Sequence, residues 1–306
     1  MDVDIESCLS FEEESKKCVS CNTYFRLENG ICLFIYSFEA VYYIRKKNYK
    51  SDGTKLFNVE YLDNYIINKI QVDDKFVKTN TNYYKFDTDG EHKVRINIDL
   101  KNSSSLNKFF ENINELVSIN FTNNFNTKGV ENMDEMFSST KNLVCLNMSY
   151  LNTENVRTMK NMFNSCMKLS EIDLSNINTK KVESISGLFS GCKSLTNVDI
   201  SSFELENNKD ISNLFSQCNL LNSINFGKIN TKNVLNMSNL FNDCNSLEAI
   251  DLNYFSTENV EDMSNMFKNC EKLKEIDVSK FKTDKVKNMF GLFENSGVIN
   301  LDLIKQ

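Results

Sequence analysis

The chain has 306 residues, a formal net charge of −7, and 41% hydrophobic and 11% aromatic residues. This apolar content is enough for a packed interior and too high for a disordered chain. The acidic balance argues against a nucleic-acid partner, because phosphate binding depends on clustered Lys and Arg, and here they are scattered. No apolar run is long enough for a membrane span, and the N-terminus lacks the pattern of a secretion signal.

Four cysteines open the chain with the spacing C-x9-C-x2-C-x10-C, namely Cys8, Cys18, Cys21 and Cys32. So short a segment has no core of its own, and two disulfides are its natural interpretation. A zinc site is the alternative, but it normally shows a second C-x-x-C or a histidine pair. The segment resembles a growth-factor-receptor-type cysteine-rich module, which implies pairing of Cys8 with Cys18 and of Cys21 with Cys32. We therefore predict a disulfide-rich module over residues 1–33.

A β-rich region follows, and we predict a small antiparallel, sandwich-like β domain over residues 34–101. Its expected strands are Ala40 to Arg45, Lys55 to Glu60, Ile66 to Val72, Tyr83 to Phe86 and Lys93 to Ile98. Turn signals lie between them at Asp73-Asp74 and from Asp87 to Gly90. The domain is expected to sit on the first repeat, where Leu106, Phe109, Phe110 and Ile113 predict an apolar capping helix. His92, the only histidine, follows the second turn, which predicts an exposed side chain and not a catalytic one.

A phenylalanine recurs every 26 residues over most of the remaining chain, after a first interval of 27. The series is Phe110, Phe137, Phe163, Phe189, Phe215, Phe241, Phe267 and Phe293. Each unit also carries the pattern L-x-x-I-x-L, for example from Leu247 to Leu252. A fixed period of this length is typical of a solenoid, because one turn cannot bury its apolar face alone.

Each unit predicts a strand, a corner and a short helix. Alternation around Ile250, Asp251 and Leu252 is a strand signal that places the acid outside. The later apolar series Val260, Met263, Met266, Phe267 and Cys270 has helical spacing. Thr257 precedes that series and is expected to cap the helix.

The block from Met266 to Met289, with its recurring Phe, Cys, Leu, Ile, Thr, Val and Met, closely resembles the repeat of BspA-like leucine-rich repeat surface proteins of bacteria and protists. The resemblance runs from Leu106 to the C-terminus. We predict an α/β solenoid over residues 102–306, a right-handed leucine-rich-repeat-like stack of about eight turns with terminal caps. Leu205 and Asn208 replace the usual Thr and Val, which predicts a distorted corner. Val298 to Leu303 slip by one residue and are expected to form the end cap.

Two columns of polar or reactive residues accompany the repeat. Cys166, Cys192, Cys218, Cys244 and Cys270 could form a metal column or disulfides, but buried free thiols are favoured because cysteine suits a crowded core position. A second column is expected to point outward from the strands: Asn147, Asp173, Asp199, Asn225, Asp251 and Asp277, flanked by Ser149, Ser175, Ser201 and Ser279. Such a ladder could bind a basic partner, a glycan or calcium. Calcium binding is not favoured, because an exposed strand face is polar in any case to keep the protein soluble.

The predicted function is an extracellular or cell-surface adhesion module that recognises a protein or glycan through its repeat surface, the role that the family resemblance implies. The alternative is a structural component that packs against copies of itself or a larger assembly. An enzyme is not expected, because each tempting residue recurs once per turn and a single histidine cannot complete a triad. No cofactor, resident metal or nucleic-acid partner is predicted, and no phosphate loop is present in the sequence.

Overall fold

The fold was taken from a computed structural model of the chain. It describes residues 8–12, 17–21, 25–28, 31–34, 36–45, 53–60, 62, 65–77, 81–101 and 103–298. For residues 8–34 it describes the backbone, together with the side chain of Arg26.

The N-terminal segment forms two antiparallel hairpins. Strand β1 (Cys8–Glu12) pairs with β2 (Lys17–Cys21), and β3 (Phe25–Glu28) pairs with β4 (Ile31–Phe34). In the β1–β2 register the backbone of Cys8 lies opposite Cys21. The side chains of the four cysteines lie outside the described residues, so the predicted disulfides stay a prediction.

A six-stranded sheet follows and continues into the first repeats. Its members are β5 (Phe38–Ile44), β7 (Ile66–Val72), β8 (Lys75–Val77), β10 (Gly90–Asp99), β11 (Leu116–Phe121) and β12 (Cys145–Asn147). The order across the sheet is β12-β11-β5-β10-β7-β8, and only the β11–β12 pair is parallel. Hydrogen bonding therefore runs across the predicted boundary at residues 101–102, and the three-domain division stays a prediction.

The predicted strands of this region match the sheet with one main exception. The segment Ile66–Val72 is a strand with the expected bounds, and Asp73 and Asp74 both adopt positive φ in the turn that follows. Of the expected strand Lys55 to Glu60, only the start is regular: β6 (Thr54–Lys55) pairs with β9 (Tyr83–Tyr84). Leu56 and Phe57 continue as irregular chain. Both side chains are fully buried in the core, whereas a strand would point consecutive side chains to opposite faces.

The repeats stack so that equivalent residues of successive turns lie side by side. Parallel bridges join one position of each turn to the next: Ser105, Asn132, Thr158, Ser184, Asp210, Asn236, Asp262 and Asn288. Strands β13 (Asn197–Asp199) and β14 (Ser223–Asn225) form a further parallel pair. The core is a column of phenylalanine rings from Phe110 to Phe293, with centroids 5.2–6.0 Å apart. Each fully buried ring contributes about 1.5–3 kcal/mol by leaving water. The handedness and total number of turns stay predictions.

The predicted helix of each turn is wrong, since no segment of the described residues is helical. The same correction applies to the helix expected at Leu106 to Ile113, which is a run of turns with all four apolar side chains buried. The apolar side chains are buried at the expected positions, but the backbone that carries them is a series of tight turns.

Backbone hydrogen bonding explains why a helix does not form. Alternate N–H groups of Met133, Glu135, Phe137 and Ser139 donate to carbonyls of the next turn at 2.7–3.0 Å. Of the N–H groups between them, those of Met136 and Ser138 close four-residue turns on the Met133 and Glu135 carbonyls, and that of Asp134 donates to Asn132 Oδ1. An α-helix would direct every N–H to its own chain four residues back and leave none for the neighbouring turn. Positive φ at Glu135 and Ser139, and at the equivalent pair in later turns, allows this alternation.

The corner threonines join neighbouring turns and do not cap helices. Thr257 donates its hydroxyl to the Lys282 carbonyl at 2.9 Å and accepts the Lys282 N–H at 2.7 Å. Leu205 interrupts this series, yet the predicted distortion is wrong. Asn208 N–H still donates to the Leu205 carbonyl at 2.9 Å, as Val182 does to Thr179 at 2.8 Å. The backbone of the corner is kept because both Leu205 and Asn208 are fully buried in it.

The last described turn leaves apolar side chains open to solvent. Met289 is 43% exposed and Phe290 is 73% exposed, whereas methionine at the position of Met289 is buried in earlier turns. The predicted end cap from Val298 to Leu303 lies outside the described residues beyond Val298.

Candidate binding surface

The six residues of the predicted polar column lie at equivalent exposed positions of successive turns. Asn147, Asp199 and Asn225 are on strands, whereas Asp173, Asp251 and Asp277 are on irregular chain, so the strand predicted around Ile250 to Leu252 is wrong. Backbone register places Asn120 beside Asn147, and Asp199 beside Asn225. All six residues of the column and the four flanking serines are exposed. We call this column, with the two additions described below, the strand-face row.

Each carboxylate or amide of the column accepts a hydrogen bond from the backbone of its own turn. Its Oδ1 accepts the N–H of the residue two positions later, at 2.8–3.1 Å: Asn147 from Ser149, Asp173 from Ser175, Asp199 from Ser201, Asn225 from Gly227, Asp251 from Asn253 and Asp277 from Ser279. Asp and Asn form such turns readily because their side chains reach their own backbone. Recurrence of Asp or Asn in the column therefore has a structural cause, independent of any ligand.

These hydrogen bonds also favour the charged form of three carboxyls. The pKa of Asp173 is lowered by the Ser175 backbone N–H and then by the Ser175 hydroxyl. The pKa of Asp199 is lowered by the Ser201 hydroxyl and N–H and by the Asn225 amide, which donates to Asp199 Oδ2 at 2.9 Å. For Asp277 the Ser279 hydroxyl and N–H lower the pKa. These three carboxylates therefore stay charged at neutral and mildly acidic pH.

Two further residues extend the row and were not predicted. Asn120 lies between Asn147 on β12 and Glu39 on β5 in the sheet register. Asn120 could have been found, because it precedes Asn147 by the same 27 residues that separate Phe110 from Phe137. Glu39 could not, because it comes from an antiparallel strand outside the repeat. Its carboxylate lies 2.6 Å from Arg95 Nε and 3.7 Å from Lys93 Nζ.

A groove of about 660 Å³ lies where the sheet meets the next turn. We call it the junction groove; its lining includes the acids Glu39, Glu171 and Asp173, the apolar Val41, Val144, Leu146 and Ile172, and the exposed Cys145. A cavity of about 580 Å³ beside it shares Val144 but carries both charge signs, with Arg45 and Lys168 facing Glu91 and Glu115. The junction groove is thus the acidic one of the pair.

The cysteine column consists of buried free thiols, as predicted. Each thiol donates to the carbonyl of the phenylalanine one turn earlier at 3.1–3.2 Å, as Cys166 does to Phe137. Burial raises the pKa of Cys192 and of Cys270 to about 12. Protonated thiols inside a packed core are poor nucleophiles and poor metal ligands, so this column is structural.

His92 is buried, so the prediction of an exposed turn histidine is wrong. Strand β10 already begins at Gly90, and its alternation turns residues 92, 94, 96 and 98 toward the core. His92 Nδ1 lies 2.6 Å from Asp73 Oδ2, and Nε2 lies 3.0 Å from the Thr88 carbonyl oxygen. The hydrogen bonds of the ring therefore connect the turn after β7 with the loop before β10.

The described residues contain neither a metal-binding cluster nor a membrane-spanning helix. No group of three or more His, Cys, Asp or Glu side chains there is placed to hold a metal ion. Within the same ranges, no helix has the length and hydrophobicity that a bilayer span requires.

Three solved structures are similar to this chain in fold. A leucine-rich repeat protein from T. pallidum is 20% identical with a TM-score of 0.37, covering 55% of this chain and 70% of that one. One from Bacteroides ovatus is 17% identical with a TM-score of 0.43, covering 64% and 45%. One from Eubacterium ventriosum is 17% identical with a TM-score of 0.30, covering 58% and 44%. This chain thus spans less than half the length of the latter two.

No curated protein is significantly similar to the chain. The profile of one protein family matches residues 104–225 and 209–306, which together include all of the stacked turns from the first bridge at Ser105 onward. The chain therefore belongs to the family described as Mycoplasma protein of unknown function, DUF285.

Proposed function

We propose that this protein is an extracellular or cell-surface binding module that recognises a protein or glycan through the strand-face row. The observation that carries the proposal is the recurrence of that row, which extends from Glu39 on β5 to Asp277 with one exposed Asp or Asn at the equivalent position of each turn from Asn120 onward. A long exposed surface of one chemistry suits contact with a macromolecule better than capture of a small substrate. The resemblance to BspA-like surface proteins supports the same role.

Binding without catalysis is part of this proposal. The buried thiols recur in five turns and the turn-forming Asp or Asn side chains in six, whereas a catalytic site needs a unique set of groups. The protein is proposed to need no cofactor, and neither a nucleic acid nor a membrane span of this chain is part of the interaction.

The test is a glycan and protein array probed with the chain. A variant with Asp173, Asp199, Asp251 and Asp277 changed to Asn keeps the Oδ1 acceptors of the turns but removes four charges. We expect it to lose array binding while retaining its circular dichroism spectrum. The matched control changes four exposed acids outside the row, Glu183, Glu204, Glu206 and Asp284, to their amides. Equal binding by all three proteins would contradict the proposal.

A structural role in an assembly is the second candidate, and one observation favours it. Met289 and Phe290 expose apolar surface on the last described turn, which is where another turn would stack. Light scattering after size exclusion separates the two functions. A monomer at micromolar concentration counts against assembly, whereas a concentration-dependent increase in mass that Phe290→Asp abolishes would favour it over the binding module.

Localisation is tested through the N-terminal cysteines. Native protein is alkylated with and without reductant and its mass is measured. We expect Cys8, Cys18, Cys21 and Cys32 to react only after reduction, whereas Cys145, exposed and free, reacts in both samples. Four N-terminal thiols that react before reduction would overturn the extracellular proposal.

A further inference from the structure

The junction groove differs from the rest of the strand face in its floor. Strand β12 is the edge of the six-stranded sheet, and residues 171–173 beside it form no strand. The half-buried side chains of Leu146 and Ile172 line the groove at this point, together with Val41 and the 36% exposed Val144. The groove therefore offers apolar contact area beside polar and acidic side chains.

The charges of the groove have one sign. Register aligns Glu39, Asn120 and Asn147 along one line, and Asp173 is the next member of that row. The second line contains Val41, Ser118 and Cys145, with Glu171 following in the next turn. No basic side chain lines the groove among the described residues.

The three acids are not equally available to a ligand. Glu39 is already neutralised by Arg95 and Lys93. Within the described part of the chain, Glu171 and Asp173 have no ion pair, and both are exposed. The lowered pKa of Asp173 keeps that group charged at neutral pH. A pair of free carboxylates at one end of an apolar floor is complementary to a cation carried next to aliphatic groups.

We propose that the junction groove binds an extended segment of a partner protein in which lysine or arginine alternates with aliphatic residues. In an extended chain, alternate side chains point to opposite sides, so a tilted segment presents its basic groups to Glu171 and Asp173 and its aliphatic groups to Ile172 and Val144. The long stems of lysine and arginine also pack on apolar surface while their charged ends reach the carboxylates. This inference rests on the proposed binding function and names the partner class.

A protein segment fits these features better than a glycan. Sugar rings are commonly held by aromatic side chains, and the lining of the groove contains none. A neutral sugar also brings no charge to two unpaired carboxylates. Glycan binding is therefore an outcome that contradicts the inference.

The experiment uses the full chain and a fluorescein-labelled peptide of sequence Lys-Val-Lys-Val-Lys-Val, with binding followed by anisotropy. A Glu-Val peptide of the same length is the ligand control. We expect the double variant Glu171→Gln, Asp173→Asn to bind the basic peptide about tenfold more weakly, because each surface ion pair is worth up to about a fivefold change and two are removed. The Asn substitution keeps the acceptor for Ser175, so the turn is preserved.

The matched variant is Glu204→Gln, Glu206→Gln, which removes two exposed acids, likewise two residues apart, outside both the groove and the strand-face row. It is expected to bind like the wild type. Equal weakening by both variants would mean that the peptide responds to the overall charge of the protein, which overturns the groove inference and leaves the proposed function intact. Failure of the basic peptide to bind better than the acidic one also overturns it, whereas loss of all array binding concerns the proposed function.

Discussion

The mixed sheet and the stacked turns use phenylalanine in different ways. In the sheet, Phe38 contacts five rings with centroid distances of 5.4–6.2 Å and interplanar angles of 63–90°: Phe57, Phe109, Phe110, Phe121 and Phe125. In the stack, successive rings from Phe137 to Phe293 lie within 5–17° of parallel. Phe110 belongs to both sets, edge-on to Phe38 and parallel to Phe137.

The difference follows from how each region is built. Translation by one turn repeats the orientation of every side chain, so identical residues meet face to face. The sheet has no such operation, and the rings around Phe38 take the edge-to-face contacts that aromatic quadrupoles favour. Stability in the stack is therefore a sum over neighbouring turns, whereas the sheet depends on contacts between residues far apart in sequence.

The largest expected effect is that of removing one ring from the stack. Phe215→Ala leaves a cavity between Phe189 and Phe241 and should lower the free energy of unfolding by about 3–5 kcal/mol. Hydrogen exchange should show lost protection in the adjoining turns only. Phe290→Ala is the control, because that ring is 73% exposed and should change stability little. Lost protection that reaches as far as β5 and β10 would contradict the nearest-neighbour description of the stack.

The same substitution in the sheet sharpens the contrast. Phe38→Ala should also lower the free energy of unfolding by about 3–5 kcal/mol. Hydrogen-exchange protection should, however, fall in β5, β10 and β11 together, because Phe38 packs on rings from several chain segments. Protection lost from β5 alone would mean that the two regions respond alike.

A corner threonine should have an intermediate effect. Thr231→Val removes the hydroxyl that donates to the Ser256 carbonyl at 3.0 Å and accepts the Ser256 N–H at 2.8 Å. Because two backbone groups lose their partner, unfolding should become easier by about 1–3 kcal/mol in urea denaturation. The Val234→Ile change, at a buried apolar position of the same turn, controls for altered packing volume. An unchanged free energy of unfolding in Thr231→Val would show that these hydrogen bonds between turns contribute nothing to stability.

Asn208 offers a smaller change of opposite sign. Its side chain is fully buried, and its Nδ2 donates a long hydrogen bond of 3.3 Å to the Val182 carbonyl, but its Oδ1 has no hydrogen-bond partner. Val182 and Val234 occupy the same place in adjacent turns. Asn208→Val should therefore raise the unfolding free energy by about 1 kcal/mol, seen as a higher urea midpoint. Val234→Asn, the reverse change one turn later, should lower it. A loss of stability from Asn208→Val would show that the amide is needed at this corner.

The smallest effect concerns the carboxyl groups of the strand-face row. Ser201→Ala should raise the pKa of Asp199, since the Ser201 hydroxyl is the largest cause of its lowering. Ser175→Ala should move Asp173 less, because there the backbone N–H contributes most. Carboxyl titrations by NMR measure both. A lowered folded pKa stabilises the protein above the unfolded pKa, and this contribution is lost as pH falls through the folded value. An unchanged Asp199 titration in Ser201→Ala would refute this assignment.

Most of the repeat architecture was predictable because a repeat multiplies each signal. The positions of Phe, Cys, Leu and Ile recur at one spacing, and all of these columns are buried or half-buried as expected. The outward position of Asp173 and its equivalents was also predictable, from alternation in a single short strand. A signal for the tight turns was present too: Asn, Ser, Asp and Gly recur two residues before and after the phenylalanine, where φ is positive, as at Asn161 and Ser165. The helical spacing of the apolar residues concealed it.

The sequence by itself determined the period, the buried columns and the outward row, because these depend only on the spacing of side chains along the chain. The tertiary structure decided the rest. Whether an N–H group bonds within its turn or to the next depends on a neighbouring turn being there to accept it, and this choice replaced the predicted helix with tight turns. Glu39 joined the strand-face row, and His92 became buried, only because antiparallel pairing brought distant segments together. Local spacing contains no information about such pairings, since each depends on what a remote strand presents.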